Sequence, residues 1–212
     1  MRMILLHGLG QTGSNWKMVR TILNHKGIRT SVPALYDLAA ARPMTLESLL
    51  EGFEHYCTML PEQEFVLCGL SLGGILALEY AKKHPEKVSG LILIGVPYTV
   101  SRNVLAFQNQ VMKLMPKKYF DKMRLPKDQC VSLLDSLKTL PYTENVELVK
   151  TDTLIVCGEK DKANRKGAYA LFERLPDSRL EIIPGARHEV NTDKPRKLAN
   201  TILGFVHELD VL

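Results

Sequence analysis

The chain has 212 residues, of which 45% are hydrophobic and 24% charged, proportions of a globular protein and not of a disordered one. Its 28 Lys and Arg against 23 Asp and Glu leave a net charge of +5, without the basic stripe and interleaved aromatics of a nucleic-acid binder. No apolar run approaches the roughly 18–20 residues of a membrane span, and Gly and Pro are scattered without a period. The four cysteines, Cys57, Cys68, Cys130 and Cys157, lie far apart, mostly in apolar runs, with no C-x-x-C pair, as buried free thiols do. The apolar stretch 3–6 is too short for the core of a signal peptide, so a cytoplasmic protein is expected.

In chain order, short apolar runs alternate with longer helical patterns. Strands are predicted over 3–6, 28–32, 65–70, 88–96, 153–157 and 180–183, and helices over 14–25, 45–60, 72–83, 164–174 and 193–209. Ser14 and Thr45 are candidate N-caps. The run 88–96 is apolar nearly throughout, as a strand covered on both faces must be. This alternation predicts a mostly parallel sheet of about six strands with helices on both sides.

One stretch breaks the rhythm. Between the fourth and fifth strands, Val104, Phe107, Val111 and Met115 share a helical face, and Tyr119, Phe120 and Met123 continue in a segment that Pro126 stops. Asp128 can cap a third helix carrying Val131, Leu134, Leu137 and Leu140. A helical insertion is therefore predicted over 98–149, leaving a core of 1–97 and 150–212. Residues 98–150 hold nine basic and five acidic side chains, either a solvated helical face or an entrance favouring anionic substrates.

Gly69-Leu70-Ser71-Leu72-Gly73 matches G-x-S-x-G between a predicted strand and a predicted helix. A nucleophile there stands on a sharp, strained turn, and glycines on either side let the chain reverse closely. The helix that follows aims its free N–H groups at developing negative charge. His7-Gly8-Leu9-Gly10 follows the first strand. A backbone N–H of this loop, that of Leu9, would pair with the N–H of Leu72 to form an oxyanion hole, and His7 is read as an organiser of the loop.

Gly8 to Gly13 also spells G-x-G-x-x-G, with Asp37 placed as a ribose-binding acid would be; that dinucleotide reading gives His7 and Ser71 no role. A serine nucleophile needs a base, and the base an orienting carboxylate. Of the histidines after Ser71, His84 ends a helix, His207 lies within the last one, and His188 sits in a loop after a late strand. Asp161, in the Gly158-Glu159-Lys160-Asp161 turn after another strand, is the acid of choice, with Glu159 in reserve.

With these motifs in this order the sequence resembles the α/β-hydrolase family over nearly its whole length. The resemblance implies a three-layer α/β fold with the 98–149 insertion as a helical cap. It also implies Ser71 as nucleophile, His188 as general acid/base, Asp161 as orienting acid, and Leu9 and Leu72 as oxyanion donors. The family's two usual opening strands have no counterpart, so a six-stranded sheet beginning near Met1 is expected. Ser71 argues against the haloalkane and epoxide chemistries, which place Asp at the elbow. The expected function is hydrolysis of a carboxylic ester or thioester of small to medium size through an acyl-enzyme, with amide and C–C hydrolysis as variants. A slow-turnover ligand receptor on the same fold is the alternative from another class. Phe107, Met112, Met115, Tyr119 and Met123 are candidates either to line the pocket or to form the cap's own core. No cofactor or metal is implied, and the partner is a small ester-like molecule, not nucleic acid.

Overall fold

The most apolar runs, 3–6, 65–70, 88–94 and 153–158, have nowhere to go but between two layers of helices. A computed structural model describes residues 1–39, 43–98, 114–116, 120, 125–137 and 143–209. Its strands are β1 (Arg2–Leu6), β2 (Arg29–Ser31), β3 (Phe65–Leu70), β4 (Val88–Ile94), β5 (Thr153–Gly158) and β6 (Ser178–Ile183). They form one sheet in the order β2-β1-β3-β4-β5-β6, and every pairing is parallel.

Register divides the core in two. Leu5, Cys68, Ile92 and Leu154 lie in one cross-strand row and face helices α1 (Lys17–His25) and α8 (Pro195–Leu209) through Val19, Leu23, Leu198, Ile202 and Phe205. The next row, Leu6, Gly69, Leu93 and Ile155, faces α3 (Leu46–Thr58), α4 (Leu72–Lys83) and α6 (Arg165–Arg174) through residues such as Phe53, Leu76 and Leu171. Full burial of each such aliphatic side chain contributes roughly 1.5–3 kcal/mol. Helix α4 is apolar on nearly all sides because it is enclosed between the sheet and α3.

Local chemistry adjusts several boundaries. The first helix opens with a 3-10 turn, Gly13–Trp16, capped by Thr12 and not by Ser14. Asn15 decides this, since its Oδ1 accepts from the Thr12 N–H at 3.0 Å and completes a capping box. Thr45 caps α3 as predicted, in a box with Ser48. The last helix, α8, begins at Pro195, two residues after its predicted start, and a four-residue helix, α7 (Val190–Asp193), precedes it; the two are separate because Pro195 disfavours helical backbone at Lys194. Pro126, not Asp128, occupies the cap position of α5 (Lys127–Ser136). Asp128 stays in its first turn, where a carboxylate still favours the helix dipole. A four-residue helix, α2 (Leu35–Leu38), lies between β2 and α3.

Within the insertion, Phe120, Cys130, Leu133, Leu134 and Leu137 are buried. Val104, Phe107, Val111, Met112, Tyr119, Met123 and Leu140 lie outside the described residues. The two ends of the insertion are tied together: the Tyr98 hydroxyl donates to the Thr143 carbonyl at 3.2 Å. From α6, Arg174 bonds both the Tyr98 hydroxyl at 2.5 Å and Glu147 at 2.7 Å. No described helix is long and apolar enough to cross a membrane.

Topology picks out one crevice. From β1 the chain crosses to the α1 face, and from the adjacent β3 it crosses to the α4 face, so the loops leaving β1 and β3 diverge at their carboxyl ends. Such a switch point is where open α/β sheets bind ligands.

The start of α4 is pressed against the sheet closely enough to exclude a side chain. A Cβ on Gly73 would lie 2.4 Å from the Leu6 carbonyl oxygen and 2.8 Å from that of His7. Gly73→Ala should therefore cost about 1–3 kcal/mol of stability, read as a lower urea midpoint. Gly204→Ala, in α8 with open space around it, should instead gain up to about 1 kcal/mol.

Candidate active site

Ser71 is the single residue between β3 and α4, and it has φ 53° and ψ −112°. A non-glycine residue in this region carries roughly 1–3 kcal/mol of strain and persists only where its surroundings hold it. They do so here from both sides. The Ser71 N–H donates to the Ile94 carbonyl at the end of β4 at 2.8 Å, and its own carbonyl accepts from Ile75 in α4 at 3.0 Å. Leu72 is the first residue of α4, so its N–H has no partner within the helix.

Asp161 and His188 come from the loops after β5 and β6 and meet at 2.7 Å, Oδ2 to Nδ1. Burial opposes ionisation of the Asp161 carboxyl, but hydrogen bonds from His188 and Asn164 outweigh it and hold the group below the usual aspartate range. An ionised carboxylate only accepts, so the Nδ1 proton is donated to Asp161, and in the neutral form of the imidazole it is Nε2 that carries the lone pair. The Asp161 side chain is 3% exposed and that of His188 40%, which sets a fixed carboxylate behind an accessible imidazole. Asn164 donates from Nδ2 to both Asp161 oxygens at 3.0 Å and from its backbone N–H at 3.2 Å.

Gly95, just past β4, joins the two halves of the site. Its φ is 56°, and a Cβ there would lie 3.1 Å from His188 Nδ1 and 3.4 Å from Asp161 Oδ2. The neighbouring Ile94 is the residue whose carbonyl holds Ser71. The loop after β1 closes the other side, for a Cβ on Gly8 would lie 3.5 Å from the Ser71 Cβ.

That loop is braced from within. His7 is buried; its Nε2 accepts from the Leu35 N–H at 3.3 Å and its Nδ1 donates to the Gly8 carbonyl at 3.0 Å. Burial lowers its pKa, partly offset by the bond to Gly8, so it is a neutral organiser, as the sequence reading has it. Tyr36 stands edge-on to His7 with ring centres 5.1 Å apart. Its hydroxyl accepts the Gly10 N–H at 2.9 Å, and burial pushes its pKa up to about 12.

The other candidates are placed elsewhere. The Glu159 carboxylate accepts from the Gly185 N–H at 2.7 Å. His84 lies at the far end of α4 against Glu54 and Tyr80, and His207 is exposed on α8. The dinucleotide pattern is one of letters only. Its loop packs Gly8 toward Ser71, Gly13 opens a 3-10 turn, and Asp37 is exposed on α2.

Residues 3–201 match the alpha/beta hydrolase family. The chain belongs to that family. It is 39% identical over 105 residues to a pimeloyl-[acyl-carrier protein] methyl ester esterase of Aromatoleum aromaticum, a match covering 47% of this chain but only 39% of the esterase. To a carboxylesterase of Bacillus subtilis it is 22% identical over 231 residues, covering 98% of this chain and 92% of that one. Its fold is that of a carboxylesterase from Nitrososphaera gargenis, with a TM-score of 0.85 at 18% identity over 99% of this chain and 90% of the other.

Three residues of this alpha/beta hydrolase site escape the sequence reading. Asn164 stands at the N-cap position of α6, where an Asn is read as a cap, yet it makes no side-chain cap bond and turns its amide to Asp161. Gly95 could have been flagged as a glycine ending an apolar strand. Tyr36 carries no local signal.

His7 makes a pH prediction with a definite sign. Its folded-state pKa lies below the unfolded value near 6.5, so the unfolded chain takes up the proton first. The stability this group contributes is whole above pH 6.5 and is lost as pH falls below it, by at most about 1.4 kcal/mol per pH unit. Urea unfolding at pH 7.5 and 5.5 should show a smaller loss for His7→Gln than for the wild type.

Proposed function

We propose that this alpha/beta hydrolase is a serine hydrolase that cleaves a carboxylic ester or thioester of a small to medium substrate through an acyl-enzyme. The observation that carries the reading is Ser71, held at positive φ against Ile94, one residue from the glycine on which the His188–Asp161 pair rests. In this reading Ser71 Oγ attacks the substrate carbonyl and passes its proton to His188 Nε2. The imidazolium is balanced by Asp161, and the oxyanion is held by the N–H groups of Leu9 and Leu72. His188 then protonates the leaving group, and water activated by the same imidazole cleaves the acyl-enzyme. Losing one oxyanion donor in such a site costs about 3–4 kcal/mol of transition-state stabilisation. The ester bonds named in the Aromatoleum and Bacillus relatives support the substrate class.

The insertion 98–149 is proposed to cap the site. It leaves the core between β4 and β5, whose carboxyl ends carry Gly95 and the Asp161 loop, and its ends are clasped together at Tyr98, Thr143 and Arg174. A cytoplasmic setting is supported by four buried, unpaired thiols.

The test is direct. The wild type should be labelled by a fluorophosphonate probe and turn over p-nitrophenyl butyrate, and Ser71→Ala should abolish both. His188→Ala should lower kcat by at least about 10³-fold, whereas His207→Ala should leave it unchanged. Asn164→Ala should lower kcat roughly 10-fold or more while KM changes little, because it releases the carboxylate that orients the base. A wild type that neither labels nor turns over esters, thioesters or anilides would overturn the assignment.

A further inference from the structure

We infer that Gln11 and Asn191 form a positioning pair that sets the spacing between the Leu9 loop and the His188 loop, a reading that rests on the serine-hydrolase function proposed above. The two side chains are 180 residues apart in sequence and 3% and 1% exposed. They are joined reciprocally: Asn191 Nδ2 donates to Gln11 Oε1 at 3.0 Å, and Gln11 Nε2 donates to Asn191 Oδ1 at 3.2 Å. Two parallel bonds between planar amides fix orientation as well as distance, which one bond does not.

Each partner is rigidly connected to a functional group. The Gln11 N–H donates to the Gly8 carbonyl at 3.2 Å and closes the turn whose centre is Leu9 and Gly10, with Gly10 at φ 82°. A movement of Gln11 therefore rotates the peptide that presents the Leu9 N–H. Asn191 lies in α7, three residues after His188. The Val190 N–H returns to the His188 carbonyl at 3.0 Å, and the Arg187 N–H is held by Asp193 at 2.8 Å. His188 is thus bracketed by bonds into the short helix that Asn191 anchors.

The sheet does not set this spacing. The two loops leave β1 and β6, and β3, β4 and β5 stand between those strands. Backbone ladders across three intervening strands leave the loop tips to be placed by side chains. The amide pair connects the first loop to the last across the face carrying α1 and α8, next to the 3-10 turn that α7 touches. Correct placement of both groups around one reacting carbonyl is needed only as charge develops, so the pair should act on kcat more than on KM.

The experiment compares the wild type with Gln11→Ala, Asn191→Ala, the double variant, and the exchanged variant Gln11→Asn/Asn191→Gln, which keeps the total number of methylenes. Each is assayed with p-nitrophenyl butyrate and a fluorophosphonate at a temperature where circular dichroism shows it folded. Each single variant should lose roughly 10- to 100-fold in kcat and in labelling rate, with KM within about twofold. The double variant should be no worse than the poorer single one, and the exchanged pair should recover most of the rate. If the alanine variants do not fold, Gln11→Glu keeps one of the two bonds, and it should still label more slowly than the wild type. Folded variants with wild-type kcat, additive losses, or an exchanged pair as slow as the single variants would overturn the inference while leaving the hydrolase reading intact. An inert wild type would overturn both.

Discussion

The site depends on an approach of backbone to backbone. The first turn of α4 lies so near the ends of β1 and β3 that neither Gly69 nor Gly73 has room for a methyl group; a Cβ on Gly69 would sit 2.2 Å from the Gly73 carbonyl oxygen. Ser71 between them is forced to positive φ at the point where the chain reverses. A helix farther from the sheet would relax the serine and widen the distance between the start of α4 and the loop after β1. The strain at one residue is therefore maintained by two absent side chains.

Around that turn, polar groups are used to stiffen loops. His7 bridges the strand end and α2, Tyr36 holds the Gly10 N–H, and Asp193 holds the Arg187 backbone. Asn164 occupies both oxygens of Asp161. Most of these groups are buried or half-buried, where a satisfied hydrogen bond is strong and an unsatisfied group costs about 1–3 kcal/mol. The arrangement makes several neighbouring loops behave as one frame, with the accessible His188 imidazole as its least enclosed member.

The sheet was legible because strands buried on both faces are apolar nearly throughout, and β3, β4 and β5 meet that condition apart from Ser89 and Thr153 near their starts. The elbow was legible because its chemistry needs glycines at fixed spacing, and Asp161 and His188 because each follows a strand that points at the same edge. Bonds made across the fold were not legible. Asn164 is written like a helix cap, and only the third dimension turns its amide toward Asp161. Tyr36 belongs to α2, and its partner Gly10 lies 26 residues away. The Thr12 cap depended on Asn15 folding back, and the break at Lys194 on the reach of the Pro195 ring into the preceding residue. At Asn164, Thr12 and Lys194 local propensity favoured one reading and a contact or a steric clash selected another, whereas Tyr36 carried no local signal at all.

The clasp of Tyr98, Thr143 and Arg174 bears on how this fold diversifies. Because the exit and return points of the insertion are bonded to each other and to α6, its two ends are held together at the edge of the core. Lengthening a connection between fixed ends costs only about 0.6 kcal/mol per doubling. Helix α5 is not part of that freedom, for Cys130, Leu133 and Leu134 are buried in the core and Gln129 and Ser136 accept from the Met44 and Leu46 N–H groups, so a change of length is tolerated between the clasp and α5 and not within α5. The chain can thus grow between such anchors while the elements that hold Ser71, Asp161 and His188 keep their places.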